Sequence, residues 1–482
     1  MATQFIKDIF IYGIGNSLLK LLTFFVFLVY ANVLTIEEFG IFSLITSLAN
    51  FVIIFLSIGM SNSVQRYYLD TSEIPVSQRP LLVSTALWIT SVWSIVLTCA
   101  AVLILSPFQG WIFHKYQLPW LLILLGLANN IPTQIIQLFS DTLRIHFRPW
   151  RYAGFTLVST VLGYGIGLFL VLKLDLKIQG ILVGSLLGGL MSIPIGFWSV
   201  KKDIGFHWNS SIAKKILHFG SPFVLAGIAS WMVVPLNQWL LATFRGNQEV
   251  GLYNVAFNFS NILNFFISAF AIAWGPYILK AYAENPNYKL IVSRALSYWA
   301  FLLIAFASLL ILFCQEILQL TTPRAFWGAL TPTIFLLISN VFLGTTQITA
   351  LGITFARKTH LISISAWISA IANFILNVLL TPQWGAVGAS IATCIASAVL
   401  TCAYLYCSQR LNPISFQYDH LIFLSLTICS IAICALVLKT YPHSLALIST
   451  KLFLWMLIIA GGFVYRVVTP KQIKNLILGR VV

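Results

Sequence analysis

Lys20 lies inside the first apolar run of the chain. If that run forms a helix starting at Phe10, Lys20 is ten residues in, roughly 15 Å along the axis and close to the middle of a bilayer. An ammonium group there either faces a protein-lined ion path or snorkels to the nearer interface. Six further cations, Arg66, Arg144, Arg148, Lys280, Arg294 and Arg357, sit where later apolar runs meet loops. Arg grips phosphate through a bidentate fork and Lys acts as a point charge. The same residues also serve as orientation signals in a membrane protein. Amides accompany them: Gln134, Gln137, Asn237, Asn258, Asn261, Asn373 and Asn377 fall in apolar runs or at their ends. Amides hydrogen-bond hydroxyl groups of a cargo without a charge penalty, or join helices to one another. Asn254, Asn258 and Asn261 recur at i, i+4 and i+7, one helix face. Together these residues read as a cationic and polar cavity suited to an anion.

Other chemistries lack their parts. The seven Cys (99, 314, 394, 402, 407, 429 and 434) fall in or beside apolar runs, with no CxxC and no zinc spacing to His. They read as small hydrophobes. No HExxH or Gly-x-Ser-x-Gly occurs, and connecting loops leave no room for a catalytic domain. Neither an enzyme nor a resident cofactor is expected. A carrier of organic cations would need a carboxylate inside the membrane. Every Asp and Glu reads as a loop or span-end residue, with Asp141 and Glu316 the nearest exceptions.

The elements that position these residues follow from composition. Apolar residues make up 59% of the 482 and charged residues 8%, with mean hydropathy +0.92. Soluble domains carry roughly 25% charged residues, so lipid must be the solvent. Fourteen apolar runs qualify as spans: 10–34, 40–62, 81–106, 117–140, 151–173, 178–200, 218–243, 250–275, 291–314, 327–355, 361–381, 385–407, 419–438 and 445–466. With both termini cytoplasmic, twenty of the 28 Lys and Arg fall on the terminal side and seven, Lys451 among them, on the other. The net charge of +16 is therefore an orientation signal, and no nucleic-acid partner is expected.

The chain also repeats itself. Glu38-Phe-Gly-Ile-Phe42 opens span 2 and Glu249-Val-Gly-Leu-Tyr253 opens span 8, 211 residues later. The stretch from Phe147 to Gly180 has a counterpart from Phe355 to Gly388, at an offset of 208. The expected architecture is all-α and polytopic, with about 14 transmembrane helices in two parallel six-helix repeats plus two C-terminal helices. The expected divisions are 1–214, 215–410 and 411–482, the last holding spans 13 and 14 and a cytoplasmic tail. Parallel repeats place a path between the halves, opened by rocking one against the other.

Several motifs then combine: Phe355-Ala-Arg-Lys-Thr359, Asn373, Asn377, and Leu380-Thr-Pro-Gln-Trp-Gly385-Ala-Val-Gly-Ala-Ser-Ile-Ala-Thr393. Glu38-Phe-Gly40, Gly251-Leu-Tyr253, Ile58-Gly-Met-Ser-Asn-Ser-Val-Gln-Arg66-Tyr67 and Trp274-Gly-Pro-Tyr-Ile-Leu-Lys280 support them. Over spans 1 to 12 the chain resembles the polysaccharide transport (Wzx-type, O-antigen flippase) family. That family belongs to the multidrug/oligosaccharidyl-lipid/polysaccharide exporter (MOP) superfamily. The resemblance implies a flippase for undecaprenyl-diphosphate-linked oligosaccharide, moving it from the cytoplasmic to the periplasmic leaflet of a bacterial inner membrane. It also implies O-antigen, capsule or exopolysaccharide assembly, a cationic central cavity, and coupling to an H⁺ or Na⁺ gradient or to membrane potential. The expected partners are the lipid-linked substrate, membrane lipid, and a polymerase with its chain-length machinery. With both halves on one chain, the transport unit is expected to be monomeric. Asn237 stands where many relatives carry Asp, which puts ion coupling at that position in question. The alternatives are a multidrug antiporter of the same superfamily and a membrane enzyme of polysaccharide assembly.

Overall fold

The computed structural model describes residues 2–69, 73–146, 148–201, 204, 207–358, 360–438 and 445–465, with α1 side chains from Leu18 onward. Phe147 and the basic tail residues Arg466, Lys471, Lys474 and Arg480 lie outside the described residues. Regular structure among the described residues is entirely helical. The chain divides into two compact units, Met1–Asn254 and Val255–Val482.

The first unit contains α1 (Ala2–Val33), α2 (Ile36–Ser57), α3 (Met60–Leu69), α4 (Arg79–Leu105), α5 (Gln109–Tyr116) and α6 (Trp120–Ala128). It continues through α7 (Asn130–Ile145), α8 (Pro149–Leu174), α9 (Lys177–Val200), α10 (Ser210–Gly220), α11 (Pro222–Val233) and α12 (Pro235–Arg245). The boundary falls inside α13 (Asn247–Ser260). The second unit holds α14 (Leu263–Glu284), α15 (Tyr288–Thr321), α16 (Leu330–Thr349), α17 (Leu351–Phe355), α18 (His360–Leu411), α19 (Tyr418–Leu438) and α20 (Leu445–Val464).

Twelve helical stretches among the described residues are long and apolar enough to cross a bilayer, against fourteen apolar runs in the sequence. The difference has two sources. In α1 the searched apolar portion is only Leu18–Val33. The runs 361–381 and 385–407 share the single stretch α18, which turns at Gly385 (φ 55°, ψ −134°), three residues after Pro382. Glycine reaches that backbone region without a Cβ clash. Large apolar side chains point outward, with Leu320 86% and Leu103 71% exposed. Such a surface has lipid as its solvent, and the chain is a multi-pass membrane protein.

Local sequence sets the helix ends. Thr35 and Glu38 form a capping box at the start of α2: Glu38 N–H donates to Thr35 Oγ1 at 3.2 Å and Thr35 N–H to Glu38 Oε2 at 2.9 Å. The other Glu38 oxygen accepts from Lys177 Nζ at 2.7 Å, tying α9 to that cap. α2 ends where Ile58 (φ 36°) and Gly59 (φ 60°) turn left-handed. That turn redirects the chain into α3, although a β-branched residue rarely adopts it.

Small residues allow close helix packing where no hydrophobic effect drives it. A Cβ at Gly184 or Gly188 of α9 would strike the backbone of Gly167 or Gly163 of α8. At the start of α13, a Cβ on Gly251 would strike the Ile36 carbonyl, and one on Gly40 the Asn247 carbonyl. Ile36 and Asn247, Gly40 and Gly251, and Ser43 and Asn254 are all 211 apart. Asn254 Nδ2 donates to Ser43 Oγ. Each contact therefore has its mirror, so α2 and the first turns of α13 cross about a local two-fold through Ser43 and Asn254.

In the second unit Leu296, Leu303 and Ile311 of α15 share one core with Ile334 and Leu337 of α16 and Leu424 and Ile428 of α19. Hydroxyls seam α16 to α18: Ser339 Oγ to Ser397 Oγ at 2.7 Å, Thr401 Oγ1 to Phe342 O at 3.0 Å and Ser408 Oγ to Thr349 O at 2.5 Å. Lys451, counted in the sequence on the side away from the termini, lies in α20 as the run 445–466 implies, its side chain 2% exposed, with Nζ 2.6 Å from Glu316 Oε1 of α15. A carboxylate inside the apolar core supplies the reason, since a buried charge is retained only with a partner.

Candidate functional site

In the first unit the polar constellation centres on Asp141 of α7, 1% exposed. Arg144 Nη2 donates to its Oδ1 at 2.8 Å and Gln137 Nε2 to the same oxygen at 3.2 Å. Ser61 Oγ of α3 donates to Oδ2. Residues 137, 141 and 144 follow one another at i, i+4 and i+7, so α7 presents all three on one face. The break at Ile58–Gly59 is what turns α3 so that Ser61 meets them. Three donors offset the desolvation of the carboxylate. The Arg144 side chain stays 49% exposed, so the unit offers a cation at its surface and a neutralised acid beneath.

The remaining basic candidates of this unit have other surroundings. Arg66 is exposed, its guanidinium 4.3 Å from the Phe219 ring centroid and 5.7 Å from that of Tyr67. It makes no ion pair with a described residue. An aromatic face holds a cation without neutralising it. Lys20 is half-buried in α1, which packs on α8. Arg148 is half-buried at the N-cap of α8. Asn237 of α12 is fully buried, and its Nδ2 donates to Tyr253 Oη at 3.2 Å.

In the second unit Asn373 and Asn377 of α18 are fully buried. Asn377 Nδ2 donates to Asn373 O and Oδ1, both at 3.0 Å, and Thr381 Oγ1 donates to Asn377 Oδ1 at 3.0 Å. Asn261 Oδ1 accepts from Asn264 Nδ2 at 2.7 Å between α13 and α14, and Asn258 is half-buried in α13. Lys280 is 73% exposed, with Glu284 3.8 Å away one turn on. Arg294 is half-buried in α15 and Arg357 is exposed with φ 56°. The structure thus joins Arg144 to a polar cluster and Asn373 to Asn377, and gives the other basic candidates separate positions within their units.

Sequence reading missed Asp141 as a buried anchor, along with Ser61 and the Lys451–Glu316 pair. The i, i+3 spacing of Asp141 and Arg144 was the available signal. Several amides serve as helix glue: Asn130 Nδ2 donates to Ala49 O at 3.1 Å, and Asn340 Nδ2 to Ser260 O at 2.9 Å.

Known proteins share both sequence and fold with this chain. A probable low-salt glycan biosynthesis flippase, Agl15 of Haloferax volcanii, is 22% identical over 288 residues. That alignment spans 59% of this chain and 60% of the relative, less than two thirds of its length. Among solved structures, the lipid II flippase MurJ in an inward closed conformation superposes with a TM-score of 0.71 at 17% identity, covering 94% of this chain and 98% of that one. An inward-facing multidrug resistance MATE transporter of the MOP superfamily superposes at 0.64 and 16% identity, covering 82% and 94%. These likenesses show the fold. Residues 5–282, more than half of the chain, match the family described as polysaccharide biosynthesis protein, and the chain belongs to that family.

Proposed function

We propose that the chain is a flippase that moves undecaprenyl-diphosphate-linked oligosaccharide units from the cytoplasmic to the periplasmic leaflet. Transport is by alternating access through a cationic cavity, in a bacterial inner membrane with both termini cytoplasmic, and serves O-antigen, capsule or exopolysaccharide assembly. The observation that carries the reading is Arg66, a guanidinium seated on Phe219 with no carboxylate partner among the described residues. Its charge is available to a diphosphate that would otherwise cross a low-dielectric region uncompensated. The buried carboxylate of Asp141 and the half-buried one of Glu316 each carry a cationic partner, Arg144 and Lys451. That pairing weighs against an organic-cation cargo. The names of Agl15 and MurJ point the same way. Lys20, Arg144 and Arg148 join Arg66 in the first unit as cavity cations, Lys280, Arg294 and Arg357 serve in the second, and the buried amides stabilise the glycan path. Coupling is to an ion gradient or to membrane potential, and a polymerase receives the product.

The test is a vesicle assay with fluorescent undecaprenyl-diphosphate-linked sugar. Time-dependent movement between leaflets without covalent change supports the reading. Bond formation by the purified protein, or movement of organic cations in place of the glycolipid, refutes it.

A further inference from the structure

Between α2, α3, α4 and α7 the first unit has a half-open cavity of about 290 Å³. That is the lower end of the range for small-molecule sites, room for one ring and not for an oligosaccharide. Gln134 of α7 lines it at 8% exposed, and its amide makes no hydrogen bond with a described residue. Thr90 of α4 lines it at 4% exposed, its Oγ1 buried and without a partner. Buried polar groups are ordinarily satisfied, so an unsatisfied hydroxyl beside an amide with no bond to a described residue, both on one cavity, marks a place for a ligand that supplies donors and acceptors. Ser61 and Gln137 complete the polar wall. Both spend a donor on Asp141, which leaves the Ser61 oxygen and the Gln137 Oε1 as acceptors. Met60 and Leu138 supply an apolar side. Neutral amides and hydroxyls opposite an apolar face match a pyranose, with hydroxyls at its rim and C–H groups on its face. Arg144 is bound to the same carboxylate oxygen as Gln137, one carboxylate away from the cavity wall.

We propose that this cavity binds one sugar ring, the ring that carries the anomeric phosphate, with Arg144 against that phosphate. The proposal rests on the flippase reading and names the part of the cargo that this unit grips. In a lipid-linked glycan the first sugar is bonded directly to the diphosphate, so a ring pocket and a guanidinium side by side recognise that junction whatever follows along the glycan. Asp141 acts as a positioning residue, fixing Ser61, Gln137 and Arg144 together.

The experiment uses the full chain in phosphatidylcholine nanodiscs and isothermal titration calorimetry. The probes are glucose, galactose and N-acetylglucosamine 1-phosphates, the corresponding free sugars, and inorganic phosphate. At least one 1-phosphate should bind at least about tenfold tighter than its free sugar and than phosphate. Thr90→Val and Gln134→Leu should each weaken that 1-phosphate at least about fivefold and leave inorganic phosphate unchanged. Arg144→Gln should bring the 1-phosphate down to the level of the free sugar. Thr90→Val keeps the side-chain shape and removes the unpaired hydroxyl, so without ligand it should melt no lower than the parent. Ser430→Ala, at an exposed position of α19, is the neutral control. The proposal is overturned if no 1-phosphate exceeds both of its components, if Thr90→Val and Gln134→Leu leave binding intact, or if phosphatidylglycerol in the discs displaces the sugar phosphate completely. Normal glycolipid flipping by Thr90→Val and Gln134→Leu would remove the ring site and leave the flippase reading standing. Sugar phosphate binding without flipping by the parent chain would do the reverse.

Discussion

Lys451 and Glu316 show what one buried charge demands of a helix interior. With the Lys451 side chain 2% and that of Glu316 16% exposed, neither ion regains much hydration, and their contact at 2.6 Å must offset the loss. Removing one partner from such a pair costs about 3–5 kcal/mol, whereas replacing both by apolar groups is often neutral. Lys451→Met should therefore lower the apparent melting temperature of the protein in nanodiscs markedly, and Lys451→Met with Glu316→Leu should recover most of the loss. If the double variant is as unstable as the sum of the singles, the pair is not what holds α20. Arg66 belongs to the opposite case, an exposed cation on an aromatic face. Arg66→Lys keeps the charge and loses the fork, so a bidentate phosphate contact predicts at least about tenfold slower flipping for Lys as well as for Ala, at unchanged stability. A Lys variant that transports as well as the parent argues for a point-charge role instead.

At the scale of elements, the glycine contacts between α8 and α9 leave no room for a side chain. Gly188→Leu would place a side chain on the Gly163 backbone, while a Cβ at Gly165, on the exposed side of α8, meets nothing within 4 Å. The first should abolish stable insertion and the second leave expression and melting unchanged, as size-exclusion profiles of the two variants would show. At the local two-fold, Gly40→Val and Gly251→Val should cost the same, because each would meet the carbonyl of the residue equivalent to the other's. Much of this was legible in the sequence. The apolar runs and the 211-residue offset were visible as periodicity and spacing. The cavity beside Asp141 was not, because it depends on how α3 and α4 are rotated against α7, and the turn at Ile58–Gly59 sets that rotation. The pairing of Lys451 with Glu316 was hidden for a related reason: the two stand 135 positions apart, and only the packing of α20 on α15 brings them together.

For the whole molecule the proposed cargo fixes a sign that transport can test. A diphosphate crossing without counter-charge carries about two negative charges, and each elementary charge is worth about 2.3 kcal/mol per 100 mV of membrane potential. With the interior negative, outward movement of the anion runs downhill, so an inside-negative potential should speed flipping and an inside-positive one should slow it. Cations that travel with the cargo subtract from that effect. Lys20, Arg66, Arg144 and Arg148 are carried on helices of the first unit, and those that reorient with the diphosphate reduce its net charge. The voltage dependence therefore reports how many of them accompany it. Neutralising a travelling cation, as in Lys20→Met, should slow flipping at zero potential and steepen its voltage dependence by about one charge. Neutralising a stationary one should leave the slope unchanged. Potassium–valinomycin diffusion potentials imposed on vesicles of defined orientation supply the measurement. A rate that ignores potential in the parent chain but gains a voltage dependence in one of these variants would mean that the cargo crosses as a neutral complex, its charge matched by cations of the protein.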